Sequence, residues 1–297
     1  MVQQPLIAVF GGTGFLGRRI VRRLAAKGAR VRIVSRRPTL PAWAGEGDML
    51  DLLAADIRDE AAVIRAVQGT DGVVNAVSLY VETRELSFEA VHVEAAALLA
   101  TAAQAAGVRH FVQISGLGVD EQSPSPYVRA RTRGEVAVRE AFPGAVMLRP
   151  SVIFGHGDAF LSALEGVTRL PVIPLFGHGG TRLQPVLAED VAKAAVRVLA
   201  GQAGEATVFE LGGAEVLSYR EIVEGVLRVR RRRRLLLPVP FAAWYAIAYV
   251  MKILPSPPLT YDQVVLMEQD NVVGGNQAGF GELGISPRGV LEWLAGR

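Results

Sequence analysis

Leu6-Ile7-Ala8-Val9-Phe10-Gly11-Gly12-Thr13-Gly14-Phe15-Leu16-Gly17 is the stretch that decides the fold. Its first five residues are an apolar run of strand type, and glycines follow at 11, 14 and 17. An amphipathic segment comes next, with Ile20, Val21 and Leu24 on one face and a stop at Gly28. Val31-Arg32-Ile33-Val34-Ser35 reads as a second strand. Strand, glycine turn, helix and strand at this spacing form the unit that binds a dinucleotide. Gly11 allows the tight turn, Gly14 lets the backbone approach a pyrophosphate with no Cβ between, and Gly17 lets the helix pack close to the sheet. The diphosphate then meets unpaired N–H groups at the positive end of the helix dipole. Gly11, Thr13, Gly14, Phe15, Leu16 and Gly17 are therefore the expected cradle.

The end of the second strand reads the cofactor. Sites for NAD place an acid there for the ribose 2′-hydroxyl. This chain has Ser35, Arg36 and Arg37 and no acid. Arginines suit a 2′-phosphate, which they grip with forked, charge-assisted hydrogen bonds. The expected cofactor is NADP(H) in preference to NAD(H). The alternative is that Arg36 and Arg37 are ordinary solvated charges.

Further along, a third strand is expected over Met49–Ala55, ending at Asp56-Ile57, and Asp59 can cap the next helix. Val73-Val74-Asn75-Ala76-Val77 reads as a fourth strand whose carboxyl end faces the cofactor. An alanine-rich helix is expected from about Phe88 to Ala106, and a fifth strand from Arg109 to Ile114. Ser115-Gly116 ends that strand, Tyr127 opens a helix, and Val146–Pro150 makes a sixth strand leading into Ser151 and Val152. Alternating strands and helices with right-handed crossovers predict an α/β, doubly wound parallel sheet. The expected division is a core over 1–155, completed by about 181–211, and a smaller C-terminal lobe over most of 156–297.

Bulk composition narrows the chemistry. The 297 residues contain no cysteine, which excludes disulfides, thiolate metal sites and cysteine nucleophiles. The four histidines form no metal-binding pair, so no metal site is expected. The net charge is +3, but Arg228 and Arg230, Arg231, Arg232, Arg233 and Arg234 carry much of it. Without those six, 26 basic residues face 29 acids. The basic character is local and has no interleaved aromatics, which argues against nucleic acid. The chain enters its first strand with no leader-like segment, so a cytoplasmic protein is expected.

These motifs resemble an extended, atypical short-chain dehydrogenase/reductase with a Rossmann-like core. The resemblance rests on the glycine turn, Asp56, the tyrosine helix, Leu148–Gly155 and Gln184–Ala192. Asn75–Glu82, Phe142–Ala145, Pro150–Gly155 and Leu237–Pro240 are further similar to the NADPH-binding accessory subunit of respiratory complex I (alpha subcomplex subunit nine) and its bacterial relatives. The resemblance implies that Asp56 and Ile57 contact the adenine, although Asp56 can equally be a loop cap. It also implies that Asn75, Ala76, Val77, Pro150, Ser151 and Val152 line the cofactor. In catalytic members a tyrosine and a lysine four residues later share one helix face, with a serine near the fifth strand. Tyr127 matches the tyrosine, but Arg131 stands where lysine is expected. Ser115 is close to the serine position, which itself aligns with Gly116. Arginine keeps the charge but does not relay a proton. The expectation is that Tyr127 and Arg131 orient NADPH and that turnover is weak or absent.

The resemblance implies an NADP(H)-binding accessory or assembly protein of the respiratory NADH:quinone oxidoreductase, with the cofactor mainly structural. The alternative is an NADP-dependent reductase or epimerase on a hydrophobic substrate, quinone-related ones among them. A cofactor-sensing regulator ranks third, since no DNA-reading element is visible. After the arginine run, Leu235–Leu254 has the ~20 residues of a membrane span. Pro238 and Pro240 leave a helix of about fourteen, too short to cross. It is either a buried helix of the small lobe or, with the arginines, a basic and aromatic surface. That surface would rest on anionic lipid at the inner face of the cell membrane or on complex I subunits. Pro255-Ser256-Pro257-Pro258 is expected to form a rigid loop.

Overall fold

The first strand is apolar throughout because both of its faces are covered, as in a parallel sheet flanked by helices. The computed structural model describes residues 4–254 and 257–296, so Pro255 and Ser256 of the expected proline loop lie outside the described residues. Six strands come first: β1 (Leu6–Phe10), β2 (Arg30–Ser35), β3 (Leu50–Ala54), β4 (Gly72–Asn75), β5 (His110–Ile114) and β6 (Val146–Pro150). Between them run α1 (Gly17–Ala25), α2 (Glu60–Val67), α3 (Ala95–Ala105) and α4 (Pro126–Ala141). Asp59 caps α2 through Ala62 N, and Ser125 caps α4 through Val128 N.

The alanine-rich helix departs from expectation at its start. Glu89–Glu94 is a π-helical turn, and only Ala95 onward is α-helical. Gly134 of α4 lies against the His92 carbonyl so closely that any Cβ there would collide with it. A widened turn next to a close helix–helix crossing accounts for both features.

The chain then leaves the sheet. It forms β7 (Ile153–Phe154), α5 (Ala159–Val167), β8 (Val172–Phe176), β9 (Arg182–Leu183) and β10 (Val186–Leu187). It returns through α6 (Ala188–Leu199) to β11 (Val208–Leu211), which pairs with β6. The sheet order is β11-β6-β5-β4-β1-β2-β3, parallel throughout. Ile20, Val21 and Leu24 of α1 pack with Val191, Ala195 and Leu199 of α6 on one face. Val63, Leu99, Ala103 and Val138 cover the other. The strand order reverses between β1 and β4, and in such sheets ligands bind outside the carboxyl ends of the strands at that point.

The remaining elements are β12 (Leu217–Ser218), α7 (Tyr219–Val229), β13 (Leu235–Val239), α8 (Phe241–Met251), α9 (Tyr261–Glu268) and α10 (Val290–Ala295). Ser218 and Glu221 form a reciprocal cap on α7. Phe154, Leu161, Ile173, Leu175, Ile222 and Val226 form a second core in this lobe. β13 pairs with β8 alone, which is why Pro238 is tolerated in it. Arg228 lies in the last turn of α7, Arg230–Arg234 form the turn before β13, and α8 is no buried helix, since only Ala248 is buried within it.

Candidate functional site

The glycine turn is shaped by contacts that admit no side chain. Gly11 has φ 73°, and a Cβ there would lie 2.9 Å from Ala76 O. A Cβ on Gly14 would meet Gly11 O at 3.0 Å, and one on Gly17 would collide with the same carbonyl. The turn is therefore drawn tight under the first turn of α1, with Ala76 and Val77 beside it. Ala76 N donates to Phe10 O at 2.9 Å, which ties the end of β4 to the end of β1. These contacts give the bare cradle that a pyrophosphate needs.

At the end of β2, Ser35 Oγ is buried without a hydrogen-bond partner, while Arg36 and Arg37 are exposed and make no ion pair among the described residues. An orphaned hydroxyl beside two uncommitted guanidiniums fits a ribose that carries a phosphate. Asp56 accepts from Arg58 N at 3.0 Å and holds the Arg58 guanidinium at 2.7 Å. The hydrogen bond from the Arg58 side chain keeps the Asp56 carboxyl below its ordinary range. Asp56 is thus a loop cap in this structure, and Ile57 is buried behind it.

The other expected lining residues divide. Asn75 turns into the sheet: its Nδ2 donates to Gln113 Oε1 at 3.0 Å, and its Oδ1 accepts from Val77 N at 3.2 Å. Ser151 Oγ donates to Asn271 Oδ1 at 2.6 Å, and Val152 N donates to the same oxygen at 3.1 Å. Asn271 therefore fixes the segment after Pro150 from far along the chain. Ser151 N, in turn, donates to Leu211 O at 3.0 Å.

Tyr127 and Arg131 do meet. Arg131 Nη1 donates to Tyr127 Oη at 2.6 Å, and the guanidinium lies 5.3 Å from the ring centroid. The same guanidinium rests beside Gly116, where a Cβ would lie 3.4 Å from Nη2. Arg131 Nε is buried and makes no hydrogen bond. Ser115 is not part of this group. It is buried beside Glu135, whose carboxylate takes Arg149 Nη2 at 2.6 Å and Arg139 Nη2 at 2.8 Å.

Burial pushes the Tyr127 phenol up to about 12, against the pull of Arg131. His92 is part of the site as well, which its position in the sequence does not reveal. Its ring meets Tyr127 edge-on at 5.6 Å, and its Nε2 is 2.9 Å from Leu79 O. Burial, reinforced by the Arg131 charge, pulls the imidazole down to about 4, so it is neutral at pH 7. Phe88 packs edge-on to Tyr127 at 5.5 Å, Tyr80 lies over it at 5.8 Å, and Leu79 and Leu266 complete the apolar wall. The arrangement holds one phenol hydroxyl in a fixed direction in an apolar recess at the sheet's carboxyl end.

Comparison with known proteins follows the same lines. A model of the NAD dependent epimerase/dehydratase family matches residues 7–212. The mitochondrial NADH dehydrogenase [ubiquinone] 1 alpha subcomplex subunit 9 of Arabidopsis thaliana is 33% identical over 295 residues, covering 94% of this chain and 73% of that protein. A ceramide reductase of Caulobacter vibrioides is 36% identical over 191 residues, covering 63% of this chain and 58% of its own. An NADPH-dependent quinone oxidoreductase of Escherichia coli, solved with NADPH, superposes with a TM-score of 0.74 at 18% identity, covering 98% of this chain and 99% of that one. At that identity the likeness speaks for the fold.

Proposed function

The chain belongs to the NAD dependent epimerase/dehydratase family and, within it, with the alpha subcomplex subunit 9 proteins, and from that premise we propose that it is an NADP(H)-binding accessory or assembly protein of the respiratory NADH:quinone oxidoreductase. The observation that carries this reading is the extent of the similarity. It runs past the core and through the C-terminal lobe, over 94% of the chain. The bare glycine cradle, the orphaned Ser35 hydroxyl and the uncommitted Arg36 and Arg37 support a bound NADP(H). Arg228, Arg230–Arg234 and α8 are the side by which the protein docks.

The cofactor acts chiefly as a structural ligand. General acid–base work is best served by a pKa near the working pH. Burial pushes Tyr127 up to about 12 despite the opposing pull of Arg131, so its phenol holds its proton at neutral pH. A ligand bound only by the folded state stabilises it by about 2.7 kcal/mol at a hundredfold excess over Kd. The apolar recess around Tyr127 supports a second reading, a reductase acting on the carbonyl of a hydrophobic substrate. In that case Tyr127 would hold the substrate oxygen and supply its proton, and the chemistry that a bound nicotinamide would add is hydride transfer.

The test is co-migration. Membranes of the source organism are solubilised gently, separated on a native gel and probed for this chain beside NADH dehydrogenase activity. Co-migration that survives moderate salt is expected. A chain found only as free protein, with an NADPH-dependent reductase activity lost in Tyr127→Phe, overturns the accessory reading in favour of the reductase.

A further inference from the structure

The stretch from Arg228 to Leu254 carries charge and apolar surface that the fold does not use. Arg230 is held by Glu165 at 2.5 Å. Arg228 and Arg231–Arg234 make no ion pair among the described residues. With Arg220, these five line one open groove of about 860 Å³ at the C-terminal end of α7, where Glu224 is the one acid. A helix C-terminus favours cations, which offsets part of their mutual repulsion. Arg231 also has φ 51°, the one non-glycine among the described residues with a left-handed backbone. It closes α7 in the place where glycine is usual. The chain thus accepts a strained turn that keeps four consecutive guanidiniums at one edge.

Apolar surface follows directly. Leu235 on β13 is 65% exposed. On α8 and just past it, Tyr249, Val250, Ile253 and Leu254 are 80%, 64%, 86% and 50% exposed. The helix is anchored from its other side, where Trp244 Nε1 donates to Leu175 O at 3.1 Å and the Trp244 ring lies 4.4 Å from Phe176. Lys252 is the one charge between Leu235 and Leu254. No helix among the described residues is long and apolar enough to cross a membrane.

We propose that this flank docks on a bilayer that carries anionic phospholipids. The arginine groove takes the phosphate headgroups, and Tyr249, Val250, Ile253 and Leu254 enter the boundary between headgroups and acyl chains. Charge complementarity carries the choice of partner. Five uncompensated cations with a single acid fit a surface of one sign, and the apolar side chains beside them fit the layer beneath it. An eleven-residue helix lies in that plane. The inference deepens the accessory reading by naming the surface on which the protein rests.

The test is flotation of the purified full-length chain with vesicles of phosphatidylcholine alone or of phosphatidylcholine mixed with phosphatidylglycerol. Strong binding is expected only to the mixed vesicles, with loss at about 1 M salt, where the Debye length falls to about 3 Å. Replacing Arg232, Arg233 and Arg234 with alanine should weaken that binding roughly a hundredfold, at about 1 kcal/mol for each arginine. Tyr249→Ser with Ile253→Ser should weaken binding to the mixed vesicles at low salt, through lost apolar contact and with no change of charge. Unchanged melting temperatures of the variants confirm that they fold. Equal binding to both vesicle types, no binding to either, or indifference to the arginine changes overturns the proposal. Vesicle binding by a chain that never co-migrates with NADH dehydrogenase leaves this proposal standing and removes the accessory reading.

Discussion

Arg149 and Arg139 close on the Glu135 carboxylate beneath β6, and Arg131 closes on Tyr127. On the far flank, Arg231–Arg234 close on no acid among the described residues, although the residue type is the same. In the core each guanidinium is tied to one side chain, and its role is geometric: it fixes a helix against a strand and a phenol in one direction. A buried charge of this kind must be paired, because removing its partner leaves an uncompensated ion in a low dielectric. On the flank the arginines share a sign and a groove, and their effect is a field over a surface. Stability should therefore respond to changes in the first region, and association to changes in the second.

The sharpest test of that contrast is Glu135→Gln. The residue is 2% exposed, and its loss strands Arg149, so unfolding free energy should fall by roughly 3–5 kcal/mol in denaturant titrations. A loss under 1 kcal/mol would erase the distinction between the two regions. His92 comes next. Its folded pKa, about 4, lies below the 6.5 of an unfolded histidine, so the unfolded chain binds more protons between those values. Stability should be fully present above about pH 6.5 and decline by about 3 kcal/mol as pH falls to about 4. In His92→Phe that slope should flatten. Arg36→Ser with Arg37→Ser should weaken NADPH binding by about tenfold, roughly 1.4 kcal/mol, and leave NADH binding unchanged by calorimetry. Equal losses for both cofactors would show that the two arginines are solvated charges. The smallest effect belongs to Arg232, Arg233 and Arg234. Changing all three to alanine should move folding stability by less than about 0.5 kcal/mol, as for surface sites in general.

What could be read in the sequence was local. The strand, glycine turn and helix over 6–25 are specified by residues that touch each other, and Gly11 takes the positive φ its turn requires. The cap at Asp59 is also local, and it falls where residue type and spacing put it. What could not be read depends on contacts distant in the chain. The π-helical turn at Glu89–Glu94 answers to Gly134. The hydrogen bonds of Ser151 and Val152 go to Asn271. The role of His92 depends on the ring of Tyr127. Pro238 reads as a break in an apolar run, and only the pairing of β13 with β8 alone explains how it sits in a strand.

The placement of β11 has a consequence for how the protein is made. Val208 of β11 pairs with Met147 of β6, and the whole of the β7–α6 excursion is synthesised between them. Until β11 emerges from the ribosome, the β6 edge of a nearly finished sheet is open, and open parallel edges are templates for misassembly. Such a non-local closure is intrinsically slow. Even then the new edge is not bare, because Glu210 N donates to Ala278 O at 2.8 Å and the segment around Ala278 lies over it. Translation must therefore run past Ala278 before the edge strand of the sheet is covered. Nascent chains paused before residue 208 should be the ones that engage a chaperone.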